Sequence, residues 1–351
     1  MSSLSPELYG CLGNSGLKVS KLILGCMSYG KKEYWEDWVL EDEEEVFKIM
    51  KAAYDAGIRT FDTANCYSAG VSEELVGKFI RKYEIPRSSI VILSKCFFPV
   101  RKDLIKIFGD LSSRGVHFLD SPELANQCGL SRKHIFDAVE DSVKRLGTYI
   151  DVLQIHRYDP HVSAEEVMRA LNDVVESGKV RYIGASTMRC YQFIELQNTA
   201  EKHGWHKFIS MQNYHNLLYR EEEREMIPYC QKTGVGLIPW SPLARGLLTR
   251  SIDANEETIR SKTDLYTRAL EFGAGYKAIL SRVEELAKKY NVSMATLATA
   301  WSLHKGDYPI VGISKVERLK DALAAVELKL SEEDIKYLEE PYCPVPIQGE
   351  I

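Results

Sequence analysis

Eight short runs of aliphatic and β-branched residues alternate with helical patterns along this chain. They lie at 22–24, 60–62, 90–94, 152–156, 180–184, 208–212, 236–240 and 309–312. Strands separated by helices return to one sheet in parallel. The helical segments carry their own stop and start signals. Residues 43–56 end at Gly57, 131–146 at Gly147, 163–177 at Gly178 and 192–203 at Gly204; residues 72–83 open with Ser72 as a candidate N-cap, and 221–232 run to Gly234. A Ser at the start accepts from otherwise unpaired N–H groups, and a Gly past the end takes the left-handed conformation that closes the last turn. Eight such units predict an α/β fold, a parallel sheet closed into a (β/α)8 TIM barrel. The alternative is an open doubly wound sheet, which usually announces a Gly-rich first βα turn. Here the first strand ends in Gly25-Cys26-Met27, with one of those glycines.

Three segments exceed the simple barrel. Residues 12–19, with Gly13-Asn14 and Ser15-Gly16, read as the turn of an N-terminal hairpin. Residues 97–129 and 244–273 are too long for ordinary βα connections; both follow strands, so both are expected as long loops on the C-terminal face, with disorder as the alternative. The tail 341–351 carries three prolines and is expected to be irregular. The acidic run 41–45 suits a helix N-terminus. A formal charge of -5 offers no general attraction for nucleic acid. No apolar stretch is long enough to span a membrane, and the first ten residues lack a signal-peptide core. Eight cysteines scattered without a C-x-x-C favour reduced thiols, a cytoplasmic location and no metal site.

The segment GIRTFDTANCYSAGVSEELVG places Asp62 at a strand tip and Tyr67 in a Ser/Gly-rich loop before a helix. Further on, SKC supplies Lys95 and LQIHRYD supplies His156, each at the end of the next strand. A free phenol, with a pKa near 10, is a poor acid–base near neutrality. A lysine cation about 4 Å away stabilises phenolate by about 4 kcal/mol at an effective dielectric near 20. Asp62 is placed to keep that lysine charged, and His156 to donate to a carbonyl oxygen. Each residue alone has an ordinary structural reading: a turn, a packing ring, a solvated strand end, a buried histidine. In this order, Asp62, Tyr67, Lys95 and His156 resemble the catalytic tetrad of the aldo-keto reductases, over about residues 19–325. The resemblance implies one barrel domain across 1–351, hydride transfer from a nicotinamide, and Tyr67 as the proton donor.

It also implies a cofactor shelf. Ser186 and Gln212 match positions that bond the nicotinamide carboxamide, with Thr187 in place of a common Asn, and Trp240 matches the ring that stacks on the nicotinamide. Ser241, Pro242, Leu243, Ala244 and Arg245 match the segment along the pyrophosphate, and Gly25, Cys26 and Met27 end the first strand beside it. Gly312, Ser314, Lys315 and Arg318 match the loop and helix start that hold the adenosine 2′-phosphate, favouring NADPH over NADH, and Asp321 matches an adenine contact. Within the family, WSPLARG and the tail EEPYCPVP look most like fungal-type aryl-alcohol dehydrogenases. Tyr29, Tyr34, Trp35, Trp38, Phe97, Phe98 and Tyr158 are candidate walls for an aromatic aldehyde. Two other readings stand beside this one. The first is a cofactor-binding regulatory subunit resembling potassium-channel β-subunits, which lack the tetrad His. The second is a cofactor-independent barrel lyase or isomerase using the Lys95 amine as a Schiff-base nucleophile. Cys66 and Cys96, next to Tyr67 and Lys95, make thiol oxidation a further way to block the site.

Overall fold

The computed structural model describes residues 6–253 and 273–349. A short antiparallel hairpin, β1 (Tyr9–Cys11) and β2 (Lys18–Ser20), precedes eight parallel strands. These are β3 (Ile23–Gly25), β4 (Thr60–Asp62), β5 (Val91–Cys96), β6 (Ile150–Ile155), β7 (Val180–Ser186), β8 (Phe208–Gln212), β9 (Gly236–Leu237) and β10 (Ile310–Gly312). β10 pairs with β3, and each later strand pairs with the next through β9. The sheet closes by two bonds, Tyr308 N–H to Leu237 O (2.8 Å) and Ile310 N–H to Pro239 O (2.9 Å). Pro239 has no N–H to return, so β9 is shorter than the expected 236–240 while the barrel still closes.

The helices on the outside are α1 (Glu43–Asp55), α2 (Val71–Lys82), α3 (Leu104–Ser113), α4 (Arg132–Leu146), α5 (Ala164–Glu176), α6 (Cys190–His203), α7 (Met226–Thr233), α8 (Tyr276–Tyr290), α9 (Met294–His304), α10 (Arg318–Glu327) and α11 (Glu332–Glu339). The acidic run opens α1, where Asp42 accepts from the backbone of Glu44 and Glu45. Ser131 caps α4 and Gly147 closes it in the left-handed region, as expected. Ser72 does not cap α2. Its hydroxyl is buried, donating to Cys26 O at 2.8 Å and lying 2.8 Å from Thr63 Oγ1, so it ties the helix to two strand ends. The segment 97–129 carries α3 and two short 3₁₀ turns, an organised excursion on the C-terminal side. Of 244–273, residues 244–249 form a 3₁₀ turn and 254–272 lie outside the described residues.

The hairpin is a plug. Leu12 and Val19 are fully buried with the inward-facing Ile23, Leu93, Val152, Ile238 and Ile310. A full burial of this kind contributes about 1.5–3 kcal/mol per side chain. Gly236 permits the docking, since a Cβ there would meet Leu12 Cδ1 at 2.5 Å and Gly13 N at 2.7 Å. With the N-terminal end filled, the cavity chemistry is left to the opposite face. The tail is irregular yet tied to that face: Glu221 accepts from Tyr342 Oη and Val345 N, and Tyr219 Oη accepts from Gln348 N. Among the described residues no helix is long and apolar enough to cross a membrane.

Candidate active site

Asp62 is the last residue of β4, Lys95 lies inside β5, and His156 follows β6 directly. The four tetrad side chains converge at this end of the barrel. Lys95 is fully buried and spends its three donors on Asp62 Oδ2 (2.6 Å), Thr63 O (3.0 Å) and Tyr67 Oη (3.2 Å). Burial alone lowers the lysine pKa, but Asp62 and Tyr67 outweigh it and the net direction is up. A lysine held charged in this way is no Schiff-base nucleophile, which needs the free amine. For Tyr67 the balance runs against the sequence expectation. Burial pushes the phenol up to about 12, despite the opposing pull of Lys95, so it stands as a protonated acid. His156 is driven well below the ordinary histidine range by burial, then by Arg157 and Lys95, and is neutral. Its ring lies edge-on to Tyr67, centroids 5.9 Å apart.

The Tyr67 turn is strained. Ser68 and Ala69 both have left-handed backbones (φ 47° and 55°), and Gly70 follows at φ 94°. Each non-glycine residue in that region costs on the order of 1 kcal/mol, so packing must impose it. Ser68 Oγ accepts from Lys31 N at 3.2 Å. Gly70 lies flat on the Arg145 stem, where a Cβ would meet Cδ at 2.7 Å. Arg145 Nε donates to Glu73 Oε2 (2.7 Å), and Glu73 Oε1 accepts from Ser94 Oγ (2.5 Å), the neighbour of Lys95. A buried ion pair thus couples the strand carrying Lys95 to the turn carrying Tyr67.

Two glutamines complete the carboxylate's surroundings. Asp62 Oδ1 accepts from Gln154 Nε2 (3.1 Å) and Gln212 Nε2 (2.8 Å), and the latter nitrogen also donates to Gln154 Oε1 (2.9 Å). Sequence reasoning missed Gln154; its available signal was a polar residue at a fully buried strand position, two before His156.

Around the rim, Ser186 Oγ donates to Gln212 O at 2.8 Å, and Trp240 Nε1 donates to Thr187 Oγ1 at 3.0 Å. One face of Trp240 lies on Tyr214, centroids 4.2 Å apart and planes 8° apart. Arg245 sits 5.6 Å from the Trp240 ring centroid. Thr187, Ser241, Ala244 and Arg245 all have positive φ, so backbone outliers gather on this shelf as they do beside Tyr67. Pro242 and Ala244 are buried, alternating with the half-buried Ser241 and Leu243. Gly25 pairs with Gly312, which brings the first and last strand ends together. Cys26 is fully buried, its thiol turned to Leu24 O and its carbonyl accepting from Ser72 Oγ, and Met27 packs against the cluster that holds Tyr67. Gly312, Lys315, Arg318 and Asp321 are exposed at the start of α10, where Arg318 Nη1 donates to Ser314 Oγ at 2.8 Å.

Of the candidate wall aromatics, Trp35 packs on Tyr67 (5.6 Å) and Phe98 on His156 (5.0 Å), both edge-on. Phe108 and Phe118, from the long segment after β5, extend the Phe98 wall. Tyr29 and Phe97 belong to the core instead, with Tyr29 Oη bonded to Ile313 O. Cys66 and Cys96 are both buried, and burial pushes their thiols up to about 12, away from the thiolate form that reacts.

A model of the aldo/keto reductase family matches residues 21–342. A Schizosaccharomyces pombe protein named "Putative aryl-alcohol dehydrogenase" is 94% identical over 325 residues, 93% of this chain and 100% of that protein. The versiconal hemiacetal acetate reductase of Aspergillus parasiticus is 57% identical over 97% of this chain and 98% of its own length. A second S. pombe protein, named "Putative voltage-gated potassium channel subunit beta", is 34% identical over 96% of this chain and 94% of its own. With the parallel barrel, the buried Asp62–Lys95–Tyr67 cluster and these matches together, the chain belongs to the aldo/keto reductase family.

Proposed function

We propose that this protein reduces aldehydes and ketones to alcohols with NADPH, that aromatic aldehydes are its preferred class, and that Tyr67 gives the proton. The observation that carries the reading is the Lys95 ammonium shared between Asp62 and Tyr67 beside a neutral His156. A neutral imidazole donates one N–H to the substrate oxygen without competing as an acid. NADPH, when bound, supplies the hydride that reduces the carbonyl carbon. As negative charge grows on the oxygen, Tyr67 releases its proton to it, and Lys95 stabilises the phenolate left behind. Asp62 keeps that lysine charged although its side chain is fully buried. The Trp35 and Phe98 edges on either side of the Tyr67–His156 pair favour a flat, apolar substituent on the carbonyl.

The rim suits the cofactor. Both amide atoms of the buried Asn213 lack a protein partner, which is the state expected of a group that meets a ligand. A half-buried Trp240 with one face on Tyr214 is available for ring stacking. Gly312 has open space where a Cβ would stand, next to Ser314, Lys315 and Arg318. Titrating the protein with NADPH while following tryptophan fluorescence, then adding an aldehyde panel, tests the reading. Quenching followed by NADPH consumption, fastest with aromatic aldehydes, is the expected result. Tight binding without turnover would favour the regulatory-subunit alternative, and no binding would remove both.

The choice of phosphate is tested separately. Lys315→Ala/Arg318→Ala weakens NADPH by roughly ten- to a hundredfold, the loss of charge-assisted bonds to a 2′-phosphate, and leaves NADH nearly unchanged. Dissociation constants for the two dinucleotides measure this; a parallel loss for both would take the 2′-phosphate away from α10.

A further inference from the structure

One buried charge has no part in the chemistry set out above. His215 is wholly inaccessible and lies two residues after Asn213. Its Nδ1 is 2.8 Å from Asp307 Oδ2 and its Nε2 is 3.0 Å from Glu223 Oε1. Both partners are carboxylates, which only accept, so both ring nitrogens carry hydrogen and the ring is an imidazolium. Burial lowers the histidine pKa, but the two carboxylates outweigh it and push it up to about 9. The charged groups around the ring come from several elements. Glu223 lies in the 3₁₀ turn Glu221–Glu223 and is held by Arg220, with Lys305 3.5 Å away at the end of α9. Glu339, the last residue of α11, takes both Arg220 (2.8 Å) and Lys305 (3.1 Å). Asp307, before β10, also accepts from Ser302 Oγ. Among the described residues His215, Arg220 and Lys305 thus balance Asp307, Glu223 and Glu339 in this cluster. Removing the His215 proton leaves one negative charge unmatched and sets a ring lone pair against a carboxylate, both costly in a buried site.

The ring also sits in the segment that carries the shelf. β9 stops at Leu237, so Trp240 and Ser241 lie beyond its ladder and are held from residues 213–216 instead. Trp240 N–H donates to Asn213 O (2.9 Å), and the Tyr214 ring lies flat on Trp240. Asn216 Nδ2 donates to Ser241 O (3.1 Å), fixing a residue with φ 53°. We propose that His215 is a positioning residue for the cofactor: clamped between Asp307 and Glu223, it fixes the segment on which Trp240 and Ser241 are mounted. The proposal rests on the cofactor reading above. The folded-state pKa lies above the ordinary histidine value of 6.5, so the clamp is complete below that pH and is lost as pH rises through about 9. A merely structural cluster makes the fold less stable over that interval and leaves the affinity of folded protein unchanged. A positioning residue makes folded protein bind the dinucleotide more weakly.

The experiment measures NADPH dissociation constants by tryptophan fluorescence from about pH 7 to about pH 10, spanning the loss of the ring's charge, with circular dichroism confirming the fold at each pH. Wild type is expected to lose affinity by about tenfold across the interval, the worth of one charge-assisted bond. In Glu223→Gln the imidazolium keeps one counter-charge of two, and the fall begins about one pH unit or more lower. His215→Gln has no titrating ring. It binds weakly throughout and its profile is flat, which also separates His215 from other groups that titrate in this range. A wild-type affinity independent of pH overturns the proposal. So does a fall at the same pH in Glu223→Gln, or a wild-type profile in His215→Gln. If His215→Gln does not fold, the first two comparisons decide the matter. Wild type that binds no dinucleotide at about pH 7 removes the cofactor reading first, and the positioning role with it.

Discussion

Tyr67→Phe lowers the turnover of carbonyl reduction by about 10²- to 10⁴-fold, the range in which a positioned general acid contributes. NADPH affinity is expected to stay close to wild type, because the phenol bonds Lys95 and takes no part in the Ser186–Gln212 and Trp240–Thr187 contacts. Steady-state rates with an aromatic aldehyde, and cofactor dissociation constants by fluorescence, measure the two halves. The pH dependence follows from the direction of the Tyr67 shift. The phenol is held up at about 12, so the acid form persists through neutral and mildly alkaline pH, and reduction loses no rate to Tyr67 ionisation there. The reverse oxidation needs the phenolate and rises with pH over the same interval. Turnover undiminished in Tyr67→Phe would transfer the proton to another group.

Glu73→Ala destabilises the fold by about 3–5 kcal/mol, the cost of leaving one member of a buried ion pair without its partner. Glu73 is completely inaccessible and the Arg145 side chain is 15% exposed. Lys78–Glu43, with a similar separation of 2.6 Å but side chains 48% and 43% exposed, is the internal control. Glu43→Ala should change stability by less than about 1 kcal/mol. Denaturant midpoints for the two variants compare them, and equal shifts would deny Glu73 its special place. The consequence reaches the site, because the same pair holds Gly70 and the left-handed Ser68–Ala69 turn after Tyr67. Folded Glu73→Ala should also show reduced turnover.

The sequence by itself determined the parts that depend on neighbouring residues. The eight-fold alternation set the strand order, and Ser131, Gly147, Gly178 and Gly204 marked helix ends, because caps and periodicity are local physics. Asp62, Tyr67, Lys95 and His156 were singled out by their residue types, their order along the chain and the family resemblance that this order carries. What the barrel closure brought together was not legible. Gln212 reaches Asp62 across 150 residues and Arg145 reaches Glu73 across 72, and no local pattern encodes either contact. Ser72 carried a capping signal, but tertiary partners at Cys26 and Thr63 claimed its hydroxyl. Two bonds, from Tyr308 and Ile310 to Leu237 and Pro239, decided between a closed barrel and an open sheet. The state of Tyr67 is the sharpest case. The sequence supplied its partner, Lys95, and hence a pull toward ionisation. Only the tertiary structure supplied the burial, and desolvation of the phenolate outweighs that pull.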